Sequence, residues 1–171
     1  IYMVKISTMI RLKPLNKGED NHIINLNLIK DELILNEIKK SYDLQDIYKK
    51  HIFNFDKIYN KYYTNDDIFN DIGLEIIDNL INNINSTIYV FGQTGTGKTH
   101  TIIGTDKNYG VLRILLNYLI DIKKTIKICI IEIYNDTCYD ILNDNKVIHQ
   151  REDYDGNIKL NEVKYNYVNE H

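Results

Sequence analysis

The most regular pattern in this chain of 171 residues runs from Phe69 to Ile84. Apolar side chains at Phe69, Ile72, Ile76 and Leu80 recur at three- and four-residue steps, and Ile77, Ile81 and Ile84 widen the same stripe. That period predicts an amphipathic helix. Thr64 stands where an N-cap belongs, and Asp66 and Asp67 suit the positive end of the helix dipole. A second helix is expected to open at Gly110, with Val111, Leu112, Leu115, Leu116, Leu119 and Ile122 along one side. Elsewhere the period shortens towards two. Residues 3–12 read as a strand ending at Pro14, the only proline. Residues 25–29 alternate as a strand does, and residues 32–40 fit either a strand or a helix. Residues 50–59 alternate around Ile52, Phe53 and Phe55. Residues 86–91 make a short apolar strand, and residues 125–134, TIKICIIEIY, a long β-branched one. A turn is expected at 140–145, with weaker strands across 147–168 around Asp155-Gly156. Strands alternating with helices point to an α/β fold.

Composition narrows this only slightly. Ile, Asn, Lys and Tyr make up about half of the chain, and Ala and Trp are absent. The favoured residues have A/T-rich codons, so we read the bias as one of coding sequence rather than of function. A net charge of -3 and a pI near 6.0 argue against sequence-independent nucleic-acid binding, which draws on a basic excess. No apolar run approaches the ~18 residues of a membrane span. Cys129 and Cys138 are too few for a disulfide framework and fit reduced thiols in a cytoplasmic protein. The chain begins at Ile1 rather than Met.

The chemistry is concentrated in residues 92–99. Gly92-Gln93-Thr94-Gly95-Thr96-Gly97-Lys98-Thr99 fits G-x-x-x-x-G-K-[ST]. Glycines let the backbone curl so that successive N–H groups point at a phosphate. Lys98 can set an ammonium against the β- and γ-phosphates, and Thr99 offers a hydroxyl to Mg2+. The loop follows an expected strand and precedes a helical segment, which is the context the motif requires.

The stretch YVFGQTGTGKTHTIIG resembles the phosphate loop of kinesin motor domains, and four further landmarks follow the order of that family. Residues 11–16, RLKPLN, are similar to its R-x-R-P-L-N. Residues 53–59, FNFDKIY, are similar to F-x-F-D-x-V-F. EIYND with YDIL, at 132–136 and 139–142, is similar to L-E-I-Y-N-E and Y-D-L-L, and Arg151-Glu152-Asp153 to R-E-D. The resemblance implies a phosphate-loop NTPase of kinesin-motor type, with a central mixed sheet flanked by helices. It implies ATP and Mg2+ as ligands, microtubules (tubulin) as partner and the cytoskeleton as location. It also implies that Arg11, Lys13, Pro14 and His100 frame the adenine. Lys13 departs from the usual Arg, and an ammonium does not stack as a planar guanidinium does.

Two family motifs are missing. The chain has serines only at 7, 41 and 86, so the S-S-R of switch I does not occur, and neither does the D-L-A-G-S-E of switch II. Its one D-x-x-G, Asp153 to Gly156, is read as a hairpin turn. Residues 1–171 are therefore expected to be the N-terminal portion of a motor domain, apparently truncated before both switches and the neck. The phosphate-loop strand would then lack neighbours, and the helical stripes part of their cover. The alternative is a non-catalytic kinesin-like nucleotide-binding protein without motor activity.

Overall fold

The computed structural model describes residues 5–15, 24–27, 30–40, 46–122 and 124–168. Residues 3, 4, 28 and 29 of two expected strands lie outside that set. The chain divides into two compact units, residues 1–111 and 112–171.

In the first unit, β1 (Met9–Arg11) comes first. It is followed by β2 (Ile24–Asn27), β3 (Glu32–Lys40), β4 (Asp46–Asn54) and β5 (Lys57–Tyr59). β2, β3 and β4 form an antiparallel sheet, so the ambiguous residues 32–40 are a strand. All nine of them pair with β4, a register that only extended backbone can make. β1 instead runs parallel to β5, Met9 opposite Lys57 and Arg11 opposite Tyr59. The Leu12 amide extends that ladder by donating to the Tyr59 carbonyl at 2.8 Å. Asp56, from the FNFDKIY landmark, fastens the start of the pair. Its Oδ2 accepts the Thr8 amide at 2.6 Å and the Thr8 hydroxyl at 2.9 Å. These bonds hold its carboxyl below the ordinary carboxylate range.

α1 (Asn65–Ile81) starts where the capping residues say it should. The Asp67 amide donates to Thr64 Oγ1 at 3.2 Å, and the Thr64 amide donates to Asp67 Oδ2 at 2.7 Å. That reciprocal pair is a capping box. Ile68, Phe69, Gly73 and Ile77 are buried, with the Phe69 ring against Gly73, and Ile72 and Ile76 of the expected stripe are half-buried. Leu80, Ile81 and Ile84, at the far end of the apolar stripe, are exposed. The unit's core is completed by Leu33, Ile58, Tyr59 and Val111. α2 (Lys98–Ile102) follows the glycine-rich loop.

α3 (Val111–Asp121) lies mostly in the second unit, where Leu115 and Leu119 of the expected stripe are buried. The remaining strands are β6 (Ile126–Ile128), β7 (Ile131–Tyr134), β8 (Thr137–Asp140), β9 (Lys146–Glu152), β10 (Ile158–Asn161) and β11 (Asn166–Val168). β7 to β10 form an antiparallel meander, and β6 pairs with β11. The single strand expected over 125–134 is therefore two, broken at Cys129-Ile130, because its halves bond to different partners. The D-x-x-G is a hairpin turn: the Gly156 amide donates to the Asp153 carbonyl at 3.0 Å between β9 and β10.

Two expectations need correction. Residues 86–91 form no strand, and Tyr89 and Phe91 are 82% and 80% exposed. No described residue accepts their backbone hydrogen bonds in a ladder, and apolar character alone does not make a strand. Nor do the described residues form one central mixed sheet. They form four separate sheets, of which only β1–β5 is parallel. Among the described residues, seven non-glycine residues have positive φ: Asp31, Asn83, Asn135, Asp136, Asp144, Asn145 and Glu162. All but Glu162 are Asn or Asp, whose short polar side chains tolerate that conformation.

Candidate phosphate-binding site

The loop at residues 92–97 curls because its glycines take backbone angles closed to most residues. Gly92, Gly95 and Gly97 have φ of 155°, 84° and 99°. Gly97 is the N-cap of α2 in a left-handed conformation, which turns the chain abruptly from loop into helix. An added Cβ at Gly95 or Gly97 would meet no atom within 4 Å, so the loop has open space against it. Within the loop, Thr96 bonds back to the Gln93 carbonyl through its amide (3.2 Å) and its hydroxyl (2.7 Å). Lys98 closes the ring. Its Nζ donates to the carbonyls of Gly92 at 2.8 Å and Gln93 at 3.0 Å. The ammonium thus sits over the loop, on the same stretch of chain as the glycines. Gln93, Thr94 and Thr99 are exposed.

The residues expected to frame a base occupy two segments, and hydrogen bonds join them. Arg11, at the end of β1, is partly buried, and burial lowers its guanidinium from its ordinary value. Nη1 donates to Asn65 Oδ1 and, at 2.9 Å, to Thr101 Oγ1; Nη2 donates to the Tyr63 carbonyl at 3.3 Å. Thr101 Oγ1 in turn donates to the Gly97 carbonyl at 3.0 Å. The β1 end is therefore tied to α2 one residue from His100. Lys13 and Pro14, just beyond Arg11, are exposed, as is His100. The Arg11 guanidinium itself is engaged with α1 and α2, inward of that edge.

Sequence reading missed Asn65 and Thr101. Asn65 is buried, and its Nδ2 donates to the carbonyls of His100 at 3.0 Å and Tyr109 at 2.8 Å. The available signal was its place directly after the capping Thr64, but in so Asn-rich a chain that signal is weak.

The residue types fit a nucleoside triphosphate with Mg2+: a curled glycine loop, an ammonium over it and an exposed Thr99 hydroxyl. Among the described residues no group of three or more His, Cys, Asp or Glu is placed to hold a metal by itself. None of their helices is long and apolar enough to cross a membrane.

Comparison with known proteins bears on the same residues. The family model for the kinesin motor domain matches residues 11–171. The human Kinesin-like protein KIF24 is 32% identical over 162 residues, covering 88% of this chain and 12% of that protein. Kinesin-like protein KIN-13B of Arabidopsis thaliana is 28% identical over 157 residues, 88% of this chain and 23% of its own length. Human Centromere-associated protein E is 30% identical over 150 residues, 80% of this chain and 5% of its own length. The chain thus spans a small part of each relative.

Proposed function

Because this chain belongs to the kinesin motor domain family, we propose that residues 92–99 bind the triphosphate of ATP with Mg2+, within the N-terminal portion of a microtubule motor ATPase. The observation that carries this reading is the ammonium of Lys98 lying across the carbonyls of Gly92 and Gln93. With the nucleotide bound, the Lys98 ammonium would turn from those carbonyls to phosphate oxygens, and the backbone amides of the loop would donate to the same anion. The Thr99 hydroxyl would hold Mg2+, whose charge would neutralise the phosphates. Lys13, Pro14 and His100 border the base, with Arg11 bracing them from behind. Movement along microtubules, and hence a cytoskeletal location, belongs to the complete domain.

A second reading is a kinesin-like nucleotide-binding protein without motor activity.

Titration of the chain with a fluorescent ATP analogue and Mg2+ tests the site. Lys98→Ala is expected to weaken binding about tenfold to a hundredfold, the worth of a lost charge-assisted hydrogen bond. Undiminished binding by that variant would overturn the assignment. Microtubule-stimulated hydrolysis separates the motor reading from the second one.

A further inference from the structure

Three segments of the first unit meet on one side chain. Asn65 is 5% exposed, and both its side-chain oxygen and its side-chain nitrogen are hydrogen-bonded. Its Oδ1 accepts from Arg11 at the end of β1. Its Nδ2 donates to the His100 carbonyl in α2 and to the Tyr109 carbonyl, just before Gly110. From Arg11 the network continues through Thr101 Oγ1 to the carbonyl of Gly97, inside the phosphate loop. The capping box at Thr64 and Asp67 fixes Asn65 as the first residue of α1, so the amide is held from behind by the helix start.

We propose that Asn65 is a positioning residue that sets the spacing between the base-bordering edge (Lys13, Pro14, His100) and the phosphate loop, and thereby the preference for a nucleotide over a bare polyphosphate. This rests on the nucleotide-site reading above. The residue type follows from the geometry. A carboxamide carries an acceptor and two donor hydrogens on one plane. Aspartate keeps the acceptor for Arg11 but turns a second acceptor towards two carbonyl oxygens. Leucine satisfies none of the three partners. Either change leaves the loop glycines and Lys98 in sequence and frees the base edge from them.

The experiment compares two ligands, Mg·ATP and inorganic triphosphate with Mg2+, on the full chain and on Asn65→Asp. The expected result is a loss of about tenfold in ATP affinity, the worth of one lost hydrogen-bond tie, while triphosphate binding stays within about twofold. The ratio of the two affinities is the readout, because general loosening lowers both together. Equal losses for both ligands, or no change in either, overturn the proposal. Thr101→Val provides a second variant if Asn65→Asp does not fold. It removes the Arg11–Thr101–Gly97 leg with little change in volume, and the same ratio is expected to fall severalfold, about the effect of a single neutral hydrogen bond. An unchanged ratio there overturns the proposal too. Failure of the underlying reading looks different: the unaltered chain binds neither ligand, or Lys98→Ala binds ATP as well as it does.

Discussion

The carboxylate of Asp140 accepts a hydrogen bond from the backbone amide of Lys164 at 2.7 Å, and none of the Asp140 residue reaches solvent. Its other oxygen accepts the Leu142 amide at 3.2 Å. One buried side chain thus ties the end of β8 both to its own turn and to a segment 24 residues later. This gives the YDIL landmark a physical role in the second unit.

Asp140→Leu leaves two backbone donors without their acceptor, and each such loss is worth about 1–3 kcal/mol. The expected outcome is a fall of at least ~2 kcal/mol in unfolding free energy. Urea denaturation followed by circular dichroism measures it. A change within experimental error would mean that the Lys164 amide finds another partner.

Two glycines near the candidate site should respond differently to alanine. At Gly97 a methyl group meets nothing, so only the left-handed backbone resists, and the loss is about 1–2 kcal/mol. At Gly110 a Cβ would stand 2.3 Å from the carbonyl carbon and oxygen of Ile102, so the backbone itself must move. Gly110→Ala is expected to lower the melting temperature further than Gly97→Ala. The reverse order would contradict the close approach of Gly110 to α2.

Acid should weaken both units through identified carboxylates. Bonds from the Thr64 amide and hydroxyl hold the Asp67 carboxyl below its ordinary value. Lys159 first, then the Asn157 amide, do the same at Asp153. A depressed carboxyl adds stability that is complete above the unfolded-state pKa, near ~3.9, and is lost as pH falls through the lower folded value. Melting temperature should therefore hold from pH 7 to about 5 and fall below about 4. Asp67→Asn should flatten part of that fall. An identical acid profile in that variant would remove Asp67 from the account.

Local signals in the chain were the readable ones. The α1 start at Thr64 and Asp67, the curl of the glycine-rich loop at 92–97 and the turn at Asp153 each depend on neighbours within a few residues, and each stands where its residues imply. Pairing was harder to read. The stretch 125–134 looks continuous, yet its halves answer to β11 and β8. Residues 86–91 look like a strand, yet have no described neighbour to make them one. The candidate site divides the same way. Its loop is local and legible, whereas the Asn65 junction gathers residues 35, 44 and 54 positions away, a distance no periodicity encodes.

The left-handed turns carry one further consequence. Where many chains would use glycine, this one uses Asn135-Asp136 and Asp144-Asn145, whose codons are poorer in G and C. The same left-handed dihedral angles can thus be reached by residues of different codon composition. A homologue from a balanced genome could reach the same turns with glycine, so sequence identity at these positions would understate how alike the two backbones are.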